Sequence, residues 1–184
     1  MHERDCQTVT LRDGASVELR PIAPEDKPLL RGIFQRLSGE SRYRRFSMRL
    51  RELSPTMLAY FTEVDHSDRE AIIAICPDSG EALGVARYVR LSDHPEAAEV
   101  AVAVVDDWQG RGLAHALLTE LSDRAQRAGV ERFIALVQTD NRNALALFAG
   151  VANGTPQLVG PNFHLVIELQ PGMDWSSRRR KPVR

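Results

Sequence analysis

The chain has 184 residues, 43% of them hydrophobic and 27% charged, a composition that suits one globular domain with a sizeable core and excludes collagen-like, disordered and disulfide-scaffold classes. The net charge of −1 hides a basic end, since five Lys/Arg in residues 178–184 leave 25 acids against 19 bases elsewhere, and an acidic body argues against nucleic-acid binding. No apolar run approaches the roughly 18 residues of a membrane span, the charged start leads into no signal-like stretch, and the two cysteines, Cys6 and Cys76, lack neighbours at metal-ligand spacing, so we expect a cytoplasmic protein with no metal and no membrane association.

In chain order, Val9 to Ile22 reads as two alternating runs about Asp13-Gly14, a pair suited to a tight hairpin turn. Pro24-Glu25-Asp26 carries helix-start chemistry before Leu29, Leu30, Ile33, Phe34 and Leu37, an apolar stripe at helical spacing closed by Ser38-Gly39. Ser41 to Arg51 holds five arginines and no acid, which we read as a loop, and Pro55 opens a second short helix to Val64. Ala71–Cys76 and Ala82–Arg90 form a hairpin pattern, with Glu99–Val105 as a third strand. Ala114, Leu117, Leu118, Leu121, Ala125 and Ala128 make the stripe of the longest helix, ended by Gly129. Phe133–Val137 reads as a buried strand, Asn141–Ala149 as a short helix, and Gln157–Val159 with Phe163–Leu169 as closing strands. The order implies an α+β fold, a mixed and mostly antiparallel central sheet flanked by helices, with packing expected to end at Pro171-Gly172.

Gln109-Gly110-Arg111-Gly112-Leu113-Ala114 lies between a strand and the longest helix. Glycines there let the backbone approach a ligand, and unpaired N–H groups at a helix start suit a pyrophosphate. A plain tight turn is the competing reading. A Walker loop needs Gly-Lys-Ser/Thr, and the dinucleotide fingerprint needs a small residue where His115 stands, so both fit worse. His66, His94, His115 and His164 show no triad spacing, and Trp108 reads as a packing anchor for the loop.

This Gln-x-x-Gly-x-Ala loop, after a Val-rich strand carrying Glu99 and before Asn141-Arg-Asn-Ala-Leu-Ala-Leu-Phe148, resembles the GNAT superfamily of acetyl-CoA-dependent N-acetyltransferases over roughly residues 9–169. Within it, Leu11–Gly14, Leu19–Asp26, Leu37–Phe46 and Asp106–Ala114 are similar to the Pat-type bacterial protein lysine acetyltransferases, which acylate lysines on proteins such as AMP-forming acyl-CoA synthetases. The resemblance implies a pyrophosphate loop at Gln109, Gly110, Arg111, Gly112, Leu113 and Ala114, and a strand at Val102 and Val104 whose backbone pairs with the pantetheine amides. It also implies a helix-start asparagine at Asn141, and it places Phe148 where many small-molecule GNAT enzymes carry a tyrosine that protonates the departing thiolate. Phe148 has no proton to give.

Glu99 is the candidate general base, because a lysine ammonium near pKa 10.4 must lose a proton before it attacks a thioester. Period two puts Glu99 on one face with Ala101 and Ala103, leaving room beside the carboxylate, unless a bulge breaks the alternation. An exposed strand-end glutamate is the plainer alternative. In the family the arginine-rich segment borders the acceptor entrance, so Arg44 and Arg45 are expected to bind substrate. The leading expectation is acetyl transfer to a protein lysine by direct attack in a ternary complex. The alternatives are a small-molecule amine acetyltransferase and a non-catalytic acyl-CoA-sensing module. A GNAT-like domain is expected over residues 7–172, with 173–184 a basic tail or linker.

Overall fold

The computed structural model describes residues 6–46, 50–153, 155–173 and 175. Strands β1 (Gln7–Thr10) and β2 (Ser16–Pro21) pair from Gln7 opposite Leu19 to Thr10 opposite Ser16, about the turn at Asp13-Gly14. Helix α1 (Lys27–Arg36) buries Leu30, Ile33 and Phe34, and Asp26 fixes its start. The Asp26 carboxylate accepts the Ala23 N–H at 2.8 Å and a two-pronged contact from Arg20 at 2.6 and 2.7 Å, which ties the helix to β2. Helix α2 (Gly39–Phe46) follows, then α3 (Pro55–Thr62), whose first turn is capped by the Ser54 hydroxyl accepting the Met57 N–H at 3.2 Å.

Strands β3 (Arg69–Ile75), β4 (Ala82–Arg90) and β5 (Ala97–Val104) run as an antiparallel meander. Helix α4 (Leu113–Arg127) then crosses to β6 (Arg132–Gln138), which lies parallel to β5. Helix α5 (Arg142–Ala149), β7 (Gln157–Val159) and β8 (Asn162–Glu168) complete the order. Among the described residues one eight-stranded sheet forms, in the order β1-β2-β3-β4-β5-β6-β8-β7, with β5 and β6 its parallel neighbours. The mixed, mostly antiparallel sheet expected from the sequence is thus present.

Both faces of the sheet are covered, and strand alternation assigns residues between them. Ile72, Ala74, Leu83, Ala86, Tyr88 and Val100 pack with Leu113, Leu117, Leu118 and Leu121 of α4. Ala71, Ile73 and Val85 pack with Leu30, Ile33 and Phe34 of α1 and Leu58 of α3. The unbroken apolar run in β3 follows from this double burial. Gly84 lets α4 settle on the sheet, since a β-carbon there would lie 2.9 Å from the Ala103 carbonyl oxygen and 3.2 Å from Leu117 Cδ1.

Two expectations need correction. The arginine-rich segment is not a loop through its first half, because residues 39–46 form α2. Arg42 bonds to the carbonyls of Phe34, Gln35 and Leu37 at the end of α1, and Arg44 pairs with Glu40 one turn back. Packing also continues past Pro171-Gly172: Met173 and Trp175 are buried in the α4-side core, so the folded unit includes the first residues assigned to a tail. The basic run at 178–184 lies outside the described residues.

Candidate active site

The sheet opens between its two parallel strands. Pairing of β5 with β6 runs from Ala97 opposite Arg132 to Val100 opposite Ala135 and stops, although β5 continues to Val104 and β6 to Gln138. On the other side β5 stays paired with β4 without a register shift from Ala98 to Val104, so no bulge disturbs its alternation. The Val105 N–H donates to the Leu83 carbonyl at 3.0 Å. That bond fixes the odd-numbered residues of β5 as those bonding to β4, which leaves the backbone groups of Val102 and Val104 directed into the opening. The Val104 carbonyl is already taken by Gln109 Nε2 at 3.0 Å. An opening edged by regularly spaced amides fits an extended chain that itself carries amides.

At the end of this cleft the chain turns through Gly110 (φ 76°) and Gly112 (φ 95°) into α4. Both angles lie in the left-handed region that favours glycine. Among the described residues the N–H groups of Gly110, Arg111 and Gly112 make no backbone hydrogen bond. They stand beside the N–H groups of Leu113 and Ala114 at the start of the helix, an arrangement that receives anionic oxygen. The individual side chains do less than their positions suggested. Gln109 holds the loop to β5 and to Asp106, Leu113 is buried in the core, and Arg111 pairs with Asp13 while stacking on Trp108 at 3.9 Å. Its guanidinium holds the Asp13 carboxyl below the usual carboxylate range, helped by the Ala15 N–H. Arg12 was not singled out by sequence, yet its aliphatic stem passes 3.5 Å from where a β-carbon on Gly112 would sit.

Glu99 stands on β5 opposite Val89 and Ile134, exposed, on the face that carries Ala101 and Ala103. The same face of β4 carries Arg87, diagonal to Glu99 across the pair Arg87–Ala101. Arg45 of α2 reaches the same place. Burial and the neighbouring Arg87 push the Arg45 guanidinium down to about 10, opposed by Glu99 and Tyr60. Burial likewise lowers Arg87, with Tyr60 and Glu99 opposing. Tyr43, Tyr60 and Leu136 are each nearly half exposed. Glu99 and Arg45 are expected site residues from sequence, whereas Arg87 and Tyr60, 12 and 39 positions upstream of Glu99, carry no motif that would single them out.

Asn141 begins α5 and accepts the Ala144 N–H at 3.1 Å through its Oδ1, so it is a helix cap in this structure. Phe148 is 4% exposed and meets the Trp175 ring edge-on at 5.8 Å. Among the described residues no three His, Cys, Asp or Glu converge as a metal site, and no helix is long and apolar enough to cross a membrane.

The chain resembles known proteins in sequence and in fold. The model of the acetyltransferase (GNAT) family matches residues 35–151. The chain belongs to the GNAT family. An acetyltransferase of Pseudomonas aeruginosa is 32% identical over 142 residues, 76% of each chain. The acetyltransferase Pat of Mycolicibacterium smegmatis is 38% identical over 134 residues, 72% of this chain and 40% of that protein. The crystal structure of the GNAT domain of S. lividans PAT superposes with a TM-score of 0.84 at 31% identity, covering 89% of this chain and 97% of that one. A cAMP-binding acyltransferase from Mycobacterium smegmatis gives 0.66 at 28% identity, covering 97% of this chain and 51% of that one. This GNAT chain therefore spans about half the length, or less, of those M. smegmatis proteins. It is an acetyltransferase of a family that uses acetyl-CoA.

Proposed function

We propose that this GNAT protein transfers the acetyl group of acetyl-CoA to the side-chain amine of a protein lysine by direct attack within a ternary complex. The likeness to the GNAT domain of S. lividans PAT and to M. smegmatis Pat supports the protein-lysine reading. AMP-forming acyl-CoA synthetases are the proposed acceptors, and the cytoplasm the proposed location. The observation that carries the reading is the position of Glu99, an exposed carboxylate beside the point where β5 and β6 part.

In this reading the turn from Gln109 to Gly112, with the N–H groups of Leu113 and Ala114, holds the pyrophosphate, and Arg12 beside Gly112 adds positive charge. Val102 offers N–H and C=O, and Val104 its N–H, to the pantetheine amides. Asn141 and Phe148 border the cofactor from α5. Acetyl-CoA supplies the thioester carbonyl. Glu99, directly or through a water, takes the proton from the lysine ammonium so that the free amine attacks. No side chain at position 148 donates a proton to the departing thiolate, so water serves. Cys6 and Cys76 lie on β1's approach and at the end of β3, which leaves no thiol at the loop for an acyl-enzyme route.

Thiol release from acetyl-CoA in the presence of lysine-containing protein or of small amines tests this. Glu99→Gln keeps shape and removes basicity, so kcat should fall by roughly 100-fold while acetyl-CoA affinity stays near wild type. Near-normal turnover by Glu99→Gln would remove the base from Glu99. Cofactor binding without thiol release for any amine would favour the sensing module.

A further inference from the structure

We propose that Arg87, together with Arg45, forms a carboxylate-binding subsite on the acceptor side of the opened sheet. The inference rests on the proposed role of Glu99, whose site it extends. Arg87 is 7% exposed, and its Nη2 has no hydrogen-bond partner. Among the described residues it makes no ion pair. Its guanidinium instead lies over the rings of Tyr60 at 4.7 Å and Phe61 at 4.9 Å. Those contacts steady a cation but leave Nη2 without an acceptor.

The fold treats another buried arginine differently. Arg20 is matched by both oxygens of Asp26. A buried guanidinium left with an open donor is costly to hold, so its persistence beside a reactive carboxylate points to a ligand that completes it. Arg45 is the second half of the subsite. Its guanidinium lies 5.1 Å from the Phe46 ring and 6.0 Å from Phe61, so both arginines gather about one phenyl ring. Each also feels the charge of Glu99. With Arg69 nearby matched by Asp65, two guanidiniums set against one carboxylate leave a single positive charge unbalanced. The walls beside them are Leu30, Phe34, Val85 and Ala103, which line an apolar cavity together with both arginines. One excess charge and a planar fork suit a monoanionic carboxylate better than a doubly charged phosphate.

Two sources present that chemistry at Glu99: the distal carboxylate of a dicarboxylic acyl thioester, or an Asp or Glu side chain next to the target lysine. Calorimetry separates them by two comparisons on the whole protein. One sets succinyl-CoA against acetyl-CoA. The other sets a lysine peptide flanked by Asp against its Asn counterpart, on protein already loaded with CoA. We expect one pair to show a preference of tenfold or more for the carboxylate, and the pair that does so names the source. Arg87→Met keeps an unbranched apolar side chain and removes the fork, so the preference should collapse. Should that variant fail to fold by circular dichroism, Arg87→Gln gives the same readout. Equal affinities within both pairs for the wild type, or a preference that survives loss of the Arg87 fork, would overturn the proposal. Because these are binding measurements, they score the subsite even if no thiol is released and the transfer reading fails.

Discussion

Gly112 was legible from sequence because its requirement is local: a turn entering a helix through φ 95° calls for glycine whatever lies elsewhere in the chain. Gly112→Val puts a β-branched side chain into that angle and against the Arg12 stem. Acetyl-CoA affinity should fall by tenfold or more, read by calorimetry on folded protein, and unchanged affinity would take the pyrophosphate away from this turn. Arg111 shows where the same reading stops. Its charge looked available to a ligand, but Asp13, 98 positions away, and the Trp108 ring occupy it. Nothing in the local spacing of the loop reveals a partner contributed by a hairpin at the other end of the chain. Arg87 was invisible for the same reason, since its significance comes from Tyr60, Phe61 and Arg45 folding around it.

At the scale of elements, continuous apolar runs located β3 and β4 because both their faces are covered, and a helical stripe located α4 because it buries one face at a fixed period. Helix α2 escaped that test. It has no fully buried residue, and besides Phe46 against Phe34 and Phe61 it is held by polar links, with the Ser38 hydroxyl accepting the Ser41 N–H at 3.1 Å and Arg44 paired to Glu40. Its signal was a Ser at the helix start and an acid–base pair four apart, and the Ser38-Gly39 step was read only as the end of α1. The link between β2 and α1 gives an energetic prediction at this scale. Arg20 and Asp26 are both largely buried, with side chains 13% and 5% exposed, so removing one partner strands the other. Arg20→Met should cost about 3–5 kcal/mol in a denaturant titration. Adding Asp26→Leu should recover part of that loss, and a single variant as stable as wild type would show the pair to be dispensable.

Across the whole molecule, the meander and its crossover leave β5 and β6 paired only over four residues, and that partial pairing makes the cleft. The order of elements and the resemblance to the family made this architecture readable, but the C-terminal boundary was not. Pro171-Gly172 has the composition of an ending, while Trp175 returns to the core, with its indole N–H donating to Ser122 Oγ at 2.9 Å and its ring against Phe148. Trp175→Ala should therefore destabilise the fold by about 3–5 kcal/mol, a loss visible as a lower melting temperature, whereas a disposable tail would leave it unchanged. In the proposed reaction this cleft and Glu99 act together on a protein lysine. Mass spectrometry of an AMP-forming acyl-CoA synthetase incubated with acetyl-CoA tests it most directly. Wild-type protein should acetylate a defined lysine, and Glu99→Gln little or none. Equal acetylation by both proteins, or an unmodified synthetase while a small amine consumes acetyl-CoA, would contradict it.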